Sequence, residues 1–242
     1  MKRKTIRMTL AAMALCIVAA GHASADIIII RRPFSAPPSI SFGATLSAED
    51  GAVSVLAVGP FNAPTGSLVV CGYGWNGSAT ANGATDDVGG SPNTYNQLTV
   101  QDSIVEHAVL VWSHLVTGSA TITISLDIIG NATSVLAGSC QVINGPTTLD
   151  VEATGVGNNG TGAITGPSIS TSASNTAIVS FCGMDRATTF TNTASGFAIE
   201  TQGTNHEGNL VGRIVSTTFS GTIDFSLAGS SPWYACAAAS FK

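Results

Sequence analysis

Ala120-Thr121-Ile122-Thr123-Ile124-Ser125-Leu126 alternates apolar and polar side chains, and Thr222-Ile223-Asp224-Phe225-Ser226-Leu227 does the same a hundred residues later. A period of two turns one set of side chains to a core and the other to water, as a β-strand does and a helix cannot. Runs rich in Val, Ile, Thr and Phe recur at 39–47, 53–58, 67–75, 96–100, 103–114, 119–128, 132–142, 147–153, 163–171, 176–183, 196–201, 209–219, 221–227 and 232–241. Turn formers punctuate them, among them Glu49-Asp50-Gly51, Gly89-Gly90-Ser91-Pro92, Gly130-Asn131, Gly157-Asn158-Asn159-Gly160 and Gly229-Ser230-Ser231-Pro232. No segment after residue 25 carries a helical period. The pattern predicts an all-β fold of antiparallel sheets forming a sandwich or barrel.

Ahead of this region, Lys2, Arg3, Lys4 and Arg7 lead into an uncharged, largely apolar run at 8–20, and Ala23-Ser24-Ala25 supplies a small-x-small cleavage site. These parts in this order predict a secretory signal peptide over 1–25. The apolar run falls short of the roughly 20 residues needed to span a bilayer. No transmembrane segment is expected after cleavage, and the product is expected to be secreted, periplasmic or on the bacterial cell surface. Residues 26–242 keep five basic side chains (Arg31, Arg32, Arg186, Arg213, Lys242) against 14 acidic ones, a net charge of −9. Without a basic patch beyond Arg31-Arg32, nucleic acid is excluded as a partner, since phosphate neutralisation takes many cations. Four cysteines remain, Cys71, Cys140, Cys182 and Cys236. An even number in an exported chain predicts disulfides, with three connectivities open. Their spacing is too wide for a zinc knuckle or a thioredoxin-type pair.

Residues 26–38 read as an N-terminal extension, in which Ile27, Ile28, Ile29 and Ile30 precede Arg31-Arg32 and a proline-rich stretch. Four adjacent isoleucines have high β propensity and need a sheet edge to pair with, in the same molecule or, by self-association, in a neighbour. Residues 39–242 read as a single domain with two loosely similar halves, 39–142 and 161–242, joined by a linker over 144–160. Gly66-Ser67-Leu68-Val69-Val70-Cys71-Gly72-Tyr73-Gly74 is matched by Asn175-Thr176-Ala177-Ile178-Val179-Ser180-Phe181-Cys182-Gly183. In each half a polar stretch, a strand, an alternating strand and a closing strand follow. A half has too few of these strands to bury both faces of a sheet, which argues for one domain.

Gly66-Ser67-Leu68-Val69-Val70, Asp86-Asp87 with Asn93-Thr94-Tyr95, and the run from Trp233 to Phe241-Lys242 resemble a jelly-roll β-sandwich domain that recurs in bacterial exported and phage-related proteins. The resemblance extends over 39–242 and implies an antiparallel jelly-roll-type β-sandwich. It implies no activity, because a fold does not fix a function.

Catalytic motifs are sparse. There is no Gly-x-Ser-x-Gly. His107 and His114 lie seven apart and would face opposite sides of one strand, while His206 sits beside Glu207 in a polar loop. Glycoside hydrolysis needs two carboxylates across one cleft; Asp150 and Glu152 alternate and could share a face, and Glu106 and Asp224 lie on separate strands. Calcium needs six to eight oxygen ligands, and Asp86-Asp87 with Asn93 is the best cluster for it. Trp112 and Trp233 lie within strands and are expected in the core. Aromatic rings, Asn and Asp converge at Tyr73, Trp75, Asn76, Asp86, Asp87, Asn93 and Tyr95, around a loop at 76–87, which makes this the expected ligand site. The expectation is a non-enzymatic extracellular binding or surface module whose partner is a carbohydrate or another surface protein, without a cofactor unless calcium binds at Asp86-Asp87. A self-associating surface or filament subunit is the alternative, and a polysaccharide hydrolase the third reading.

Overall fold

The computed structural model describes residues 39–89, 92–103, 105–133, 135–145, 147–159, 162–184, 190–193, 196–202, 208–228 and 231–242. The expected signal peptide, the extension with Ile27 to Ile30, Arg186 and His206 lie outside the described residues.

Every regular element described is a strand, and every pairing is antiparallel. The first half holds β1 (Ser41–Asp50), β2 (Val55–Ala63), β3 (Leu68–Asn76), β4 (Thr80–Asp86), β5 (Asn96–Gln97), β6 (Gln101–Asp102), β7 (Glu106–His114), β8 (Ser119–Ile129) and β9 (Leu136–Asn144). They form one sheet in the order β1-β9-β3-β7-β5, with β6 also beside β7, and a second in the order β2-β8-β4. The second half holds β10 (Leu149–Asn159), β11 (Ala163–Ile164), β12 (Ser168–Ser170), β13 (Thr176–Met184), β14 (Phe190–Thr193), β15 (Ala198–Gln202), β16 (Gly208–Val215), β17 (Ser220–Thr222), β18 (Phe225–Leu227) and β19 (Ser231–Phe241). Its large sheet runs β10-β19-β13-β16-β15, and β11-β18-β14 and β12-β17 are small outer sheets. With β6 set aside, and β11 with β12 and β17 with β18 each counted as one interrupted strand, the two halves deal out their strands in the same order. β10 occupies most of the segment read as a linker and pairs along β19 from Leu149 to Asn159, so by its hydrogen bonds it belongs to the second half.

Three apolar clusters sit between these sheets. In the first half, Ile122, Ile124, Leu126 and Ile128 of β8 turn inward against Val69, Cys71, Tyr73 and Val109, while the alternate residues of β8 face outward. In the second half, Ile223, Phe225 and Leu227 meet Ile178, Cys182, Val211 and Cys236 in the same manner. The third cluster joins the halves: Leu68, Val70, Leu110 and Ile143 pack on Val179, Phe181, Leu210 and Phe241. β3 and β13 are thus covered on both faces, which explains why their sequences are continuous apolar runs rather than alternating ones. The glycines of the repeated motif serve this contact. A Cβ at Gly72 would run into the Phe181 ring, and one at Gly74 would press on Phe181 and on the backbone of Gly183, so the small residues let the central strands approach.

Cys71 and Cys140 stand opposite each other on β3 and β9, and Cys182 and Cys236 on β13 and β19; both pairs are disulfides. Of the three connectivities the chain adopts the one internal to each half, at equivalent strands. Among the described residues no helix is long and apolar enough to cross a membrane.

Candidate functional site

The segment 76–87, expected as a loop, is largely a strand. β4 runs along β8 as an edge of the outer sheet, from Thr80 opposite Ile129 to Asp86 opposite Ile124. This divides the expected ligand site. Trp75 and Asn76 lie before β4, and Asp86, Asp87, Asn93 and Tyr95 lie at its far end, a separation of about 20 Å for a strand of this length.

Tyr73 and Trp75 do share one strand face, but that face is interior: they are 0% and 1% exposed. Their polar ends brace β4. Trp75 Nε1 donates to Ala79 O at 2.8 Å, and the Tyr73 hydroxyl lies 3.2 Å from Gly83 O, 3.3 Å from Asp127 O and 3.2 Å from the Gly83 amide. Burial pushes the Tyr73 phenol well above its ordinary pKa. Neither ring offers an open face to a ligand.

At the far end of β4 the polar residues hold loops together. Asp86 Oδ2 accepts from Asn93 Nδ2 at 2.8 Å and from the Tyr95 hydroxyl at 3.3 Å, and Oδ1 accepts from the Val88 amide at 3.1 Å. Asn93 is itself buried and bonds Val116 and Thr117, fastening this loop to the β7–β8 turn. Asp87 Oδ1 accepts from the Thr123 amide at 2.8 Å. Burial first, then the Asp86 charge, raises the Tyr95 pKa. The best calcium cluster from sequence is thus brought together, with its carboxylates committed to backbone and side-chain donors. Among the described residues no group of three or more His, Cys, Asp or Glu side chains is arranged to hold a metal ion.

The other acids are dispersed. Asp150 takes Lys242 Nζ at 2.7 Å together with Ser172, whereas Glu152 takes Thr99 Oγ1 at 3.1 Å. The pairing of β10 with β19 slips between Leu149 and Val151, and the two carboxylates reach different partners instead of sharing a site. Glu106 is buried beside Gly183, between the central sheets, while Asp224 bonds Gly166 and Thr222 in the outer layer of the second half.

Two hollows flank the turn between β3 and β4. One, of about 240 Å³, is lined by Trp75, Ser78, Thr80, Val100, Asp102 and His107. His107 stacks on Trp75 with centroids 5.1 Å apart; its Nδ1 is 2.7 Å from Asp102 Oδ1 and its Nε2 is 2.6 Å from Gly77 O. Ser78, His107 and Asp102 share this hollow, and His107 Nε2 is turned to the Gly77 carbonyl, so the imidazole braces the β3–β4 turn. The other hollow, of about 360 Å³, is lined by Asn76, Gly77, Val105, Thr133 and Trp233. His114 is exposed and lies edge-on to Trp112, on the opposite face of β7 from His107. Trp112 packs edge-on against Phe241 at 5.9 Å at the central core.

Trp233, Thr133, Asp102 and His107 were not singled out as ligand-site residues from sequence. A signal existed for two of them: the polar run before Trp233 puts that ring at a strand's start, and Asp102 pairs directly with His107 across a tight β6–β7 hairpin. Comparison of the chain with protein-family models, with curated proteins and with solved structures finds no match in any of the three.

Proposed function

We propose that the chain is an exported, non-enzymatic binding or surface module built from two tandem jelly-roll sandwiches. With β6 set aside, the first half has eight strands, dealt as first, eighth, third, sixth and fifth in one sheet and second, seventh and fourth in the other. The second half follows the same order once β11 with β12, and β17 with β18, are each counted as one strand. Apart from the fifth strand, which pairs with the sixth instead of joining the second sheet, two Greek keys folded onto each other distribute their strands in this way. Export is supported by the two disulfides, which persist in oxidising compartments and not in a reducing cytosol.

The observation that carries binding over hydrolysis is the use made of the acids. Glycoside hydrolysis takes two carboxylates across one cleft. Among the described residues, the two hollows beside the β3–β4 turn have a single carboxylate between them, Asp102, already engaged by His107. Asp86, Asp87, Asp150, Glu152 and Asp224 accept hydrogen bonds that fasten loops and strands. A rigid frame with loops and hollows at its ends suits recognition. Oxidised protein spanning 26–242 is expected to leave a panel of polysaccharides at full length. Release of new reducing ends, abolished by one carboxylate substitution such as Asp102→Asn, would replace this reading with a hydrolase.

A further inference from the structure

We infer that the free edge of β4 pairs with β4 of a second copy of this chain, antiparallel about a two-fold axis. The inference rests on the jelly-roll strand order proposed above. In that order the fifth strand would join the second, seventh and fourth and close the outer sheet. Here β5 pairs with β7 instead, so β2-β8-β4 stops one strand short, and among the described residues β4 pairs only with β8.

The vacant edge has the properties of an acceptor. Thr80-Ala81-Asn82-Gly83-Ala84-Thr85 holds no charge and no proline. Other edges of the molecule carry residues that discourage pairing: Pro60 in β2, Asp150 and Glu152 in β10, and Glu200 in β15. Apolar side chains on this side also remain part-exposed. Ala81 and Ala84, with Val88 and Tyr95 of the following connection, are only partly buried against the first-half cluster. Val100, likewise part-buried, lines the smaller hollow together with Thr80 and Ala81. A strand added beside β4 would cover this rim while continuing the ladder, the mode of recognition by strand addition.

The backbone fixes which groups are offered. The Asp87 amide donates to Thr123 O at 3.2 Å, and residues opposite each other in an antiparallel pair alternate between bonded and unbonded. Ala84 and Asp86 therefore turn their amides and carbonyls away from β8. The bulge between Ala81 and Gly83 is filled by the Tyr73 hydroxyl, which lies 3.2 Å from both the Gly83 amide and its carbonyl. A second β4 set with Ala84 opposite its counterpart exchanges two hydrogen bonds at that pair. Gly83 then stands opposite Thr85, and the Ala81–Asn82 bulge opposite Asp86. Half-buried Ala81 and Asp86 thus share the core face, while Thr85 stays on the exposed one. The two Asp86 carboxylates end about four residues apart, roughly 13 Å along the strand and beyond the ~8 Å Debye length of physiological salt. An edge that complements itself in this way meets the requirement of an isologous two-fold contact.

Sedimentation equilibrium of the oxidised 26–242 protein, from micromolar to millimolar concentration, tests this. A monomer–dimer equilibrium is expected, and it is expected to tighten with added salt because each copy carries a net −9. Ala84→Pro removes the offered amide, and Thr85→Lys brings two lysines within about two residues of each other across the axis. Each is expected to weaken the dimer at least tenfold. Thr85 is exposed, so Thr85→Lys is expected to hold the melting temperature of the monomer even where Ala84→Pro lowers it. A short bis-maleimide is expected to link Thr85→Cys into a covalent dimer. Ile28→Asp combined with Ile30→Asp is expected to leave the dimer intact; its loss would assign self-association to that segment and overturn the inference. A chain that stays monomeric throughout would overturn it too, as would a dimer that survives both Ala84→Pro and Thr85→Lys unchanged. None of these results would alter the binding-module reading, which the polysaccharide panel tests separately.

Discussion

Asp150 sits at the register slip of β10, with its side chain 1% exposed. Burial alone would raise its pKa; the Lys242 ammonium and the Ser172 hydroxyl and amide overcome this and hold the carboxyl at about 2. An unfolded aspartate titrates near 3.9, so the native state binds fewer protons between those values. The stabilisation is full above pH ~4 and is lost as pH falls from ~4 to ~2. Asp150→Asn is therefore expected to cost about 2 kcal/mol at pH 7 and to converge on the parent protein near pH 2 in urea unfolding. A gap that stays constant with pH would assign the cost to packing instead. At this scale the sequence is a partial guide. That Tyr73 and Trp75 share a face follows from period two, but which side of the sheet is interior depends on β4. Thr80-Ala81-Asn82-Gly83-Ala84-Thr85-Asp86 has no Val, Ile or aromatic residue and carries the composition of a loop. It becomes a strand because β8 offers it an edge and the two rings pin it through Ala79 and Gly83. Likewise, the alternation of Asp150 with Glu152 is visible, and the slip that separates them is not.

Each disulfide ties a strand to its immediate neighbour in a central sheet while closing a long loop, with sequence separations of 69 and 54. In the chain-entropy model each cross-link stabilises by about 4 kcal/mol, because loop length enters only logarithmically. Cys71→Ala with Cys140→Ala, and Cys182→Ala with Cys236→Ala, are thus expected to lower the unfolding free energy by similar amounts. Thiol titration of the denatured, unreduced 26–242 protein is expected to find no free thiol; four would contradict the pairing. The connectivity was open in spacing alone. The repeat points to the pairing, since Cys71 and Cys182 each lie within one copy of the paired motif and Cys140 and Cys236 both lie in closing strands. The long alternating and apolar elements, β3, β7, β8, β13 and β19, were legible because burial on one or both faces writes a periodic pattern. The short or polar ones, β4, β6 and β14, were not, because backbone pairing at an edge leaves little trace in side chains.

At the scale of the whole molecule, the two similar halves are not independent. Each has its own sheets, apolar cluster and disulfide, yet the face of each large sheet away from that cluster is also apolar and is covered only by the other half. Leu68, Val70, Leu110 and Ile143 on one side and Val179, Phe181, Leu210 and Phe241 on the other are buried in this shared layer. Burying a side chain of this kind contributes about 1.5–3 kcal/mol, so baring four of them along one sheet is a large loss for a half on its own. It would also leave an apolar patch of the sort that drives association. The fit is specific, with Phe181 seated on Gly72 and Gly74, so a half offered its counterpart has a defined partner surface. Chains spanning 39–145 and 146–242, refolded separately under oxidising conditions, are expected to aggregate or self-associate. Refolded together, they are expected to recover a one-to-one complex with a cooperative transition, read by sedimentation and melting. Gly72→Val, which fills the notch that receives Phe181, is expected to weaken that complex at least tenfold while leaving the Cys71–Cys140 disulfide intact. Two halves that each remain monomeric and fold cooperatively alone would show instead that the central layer joins two self-sufficient domains.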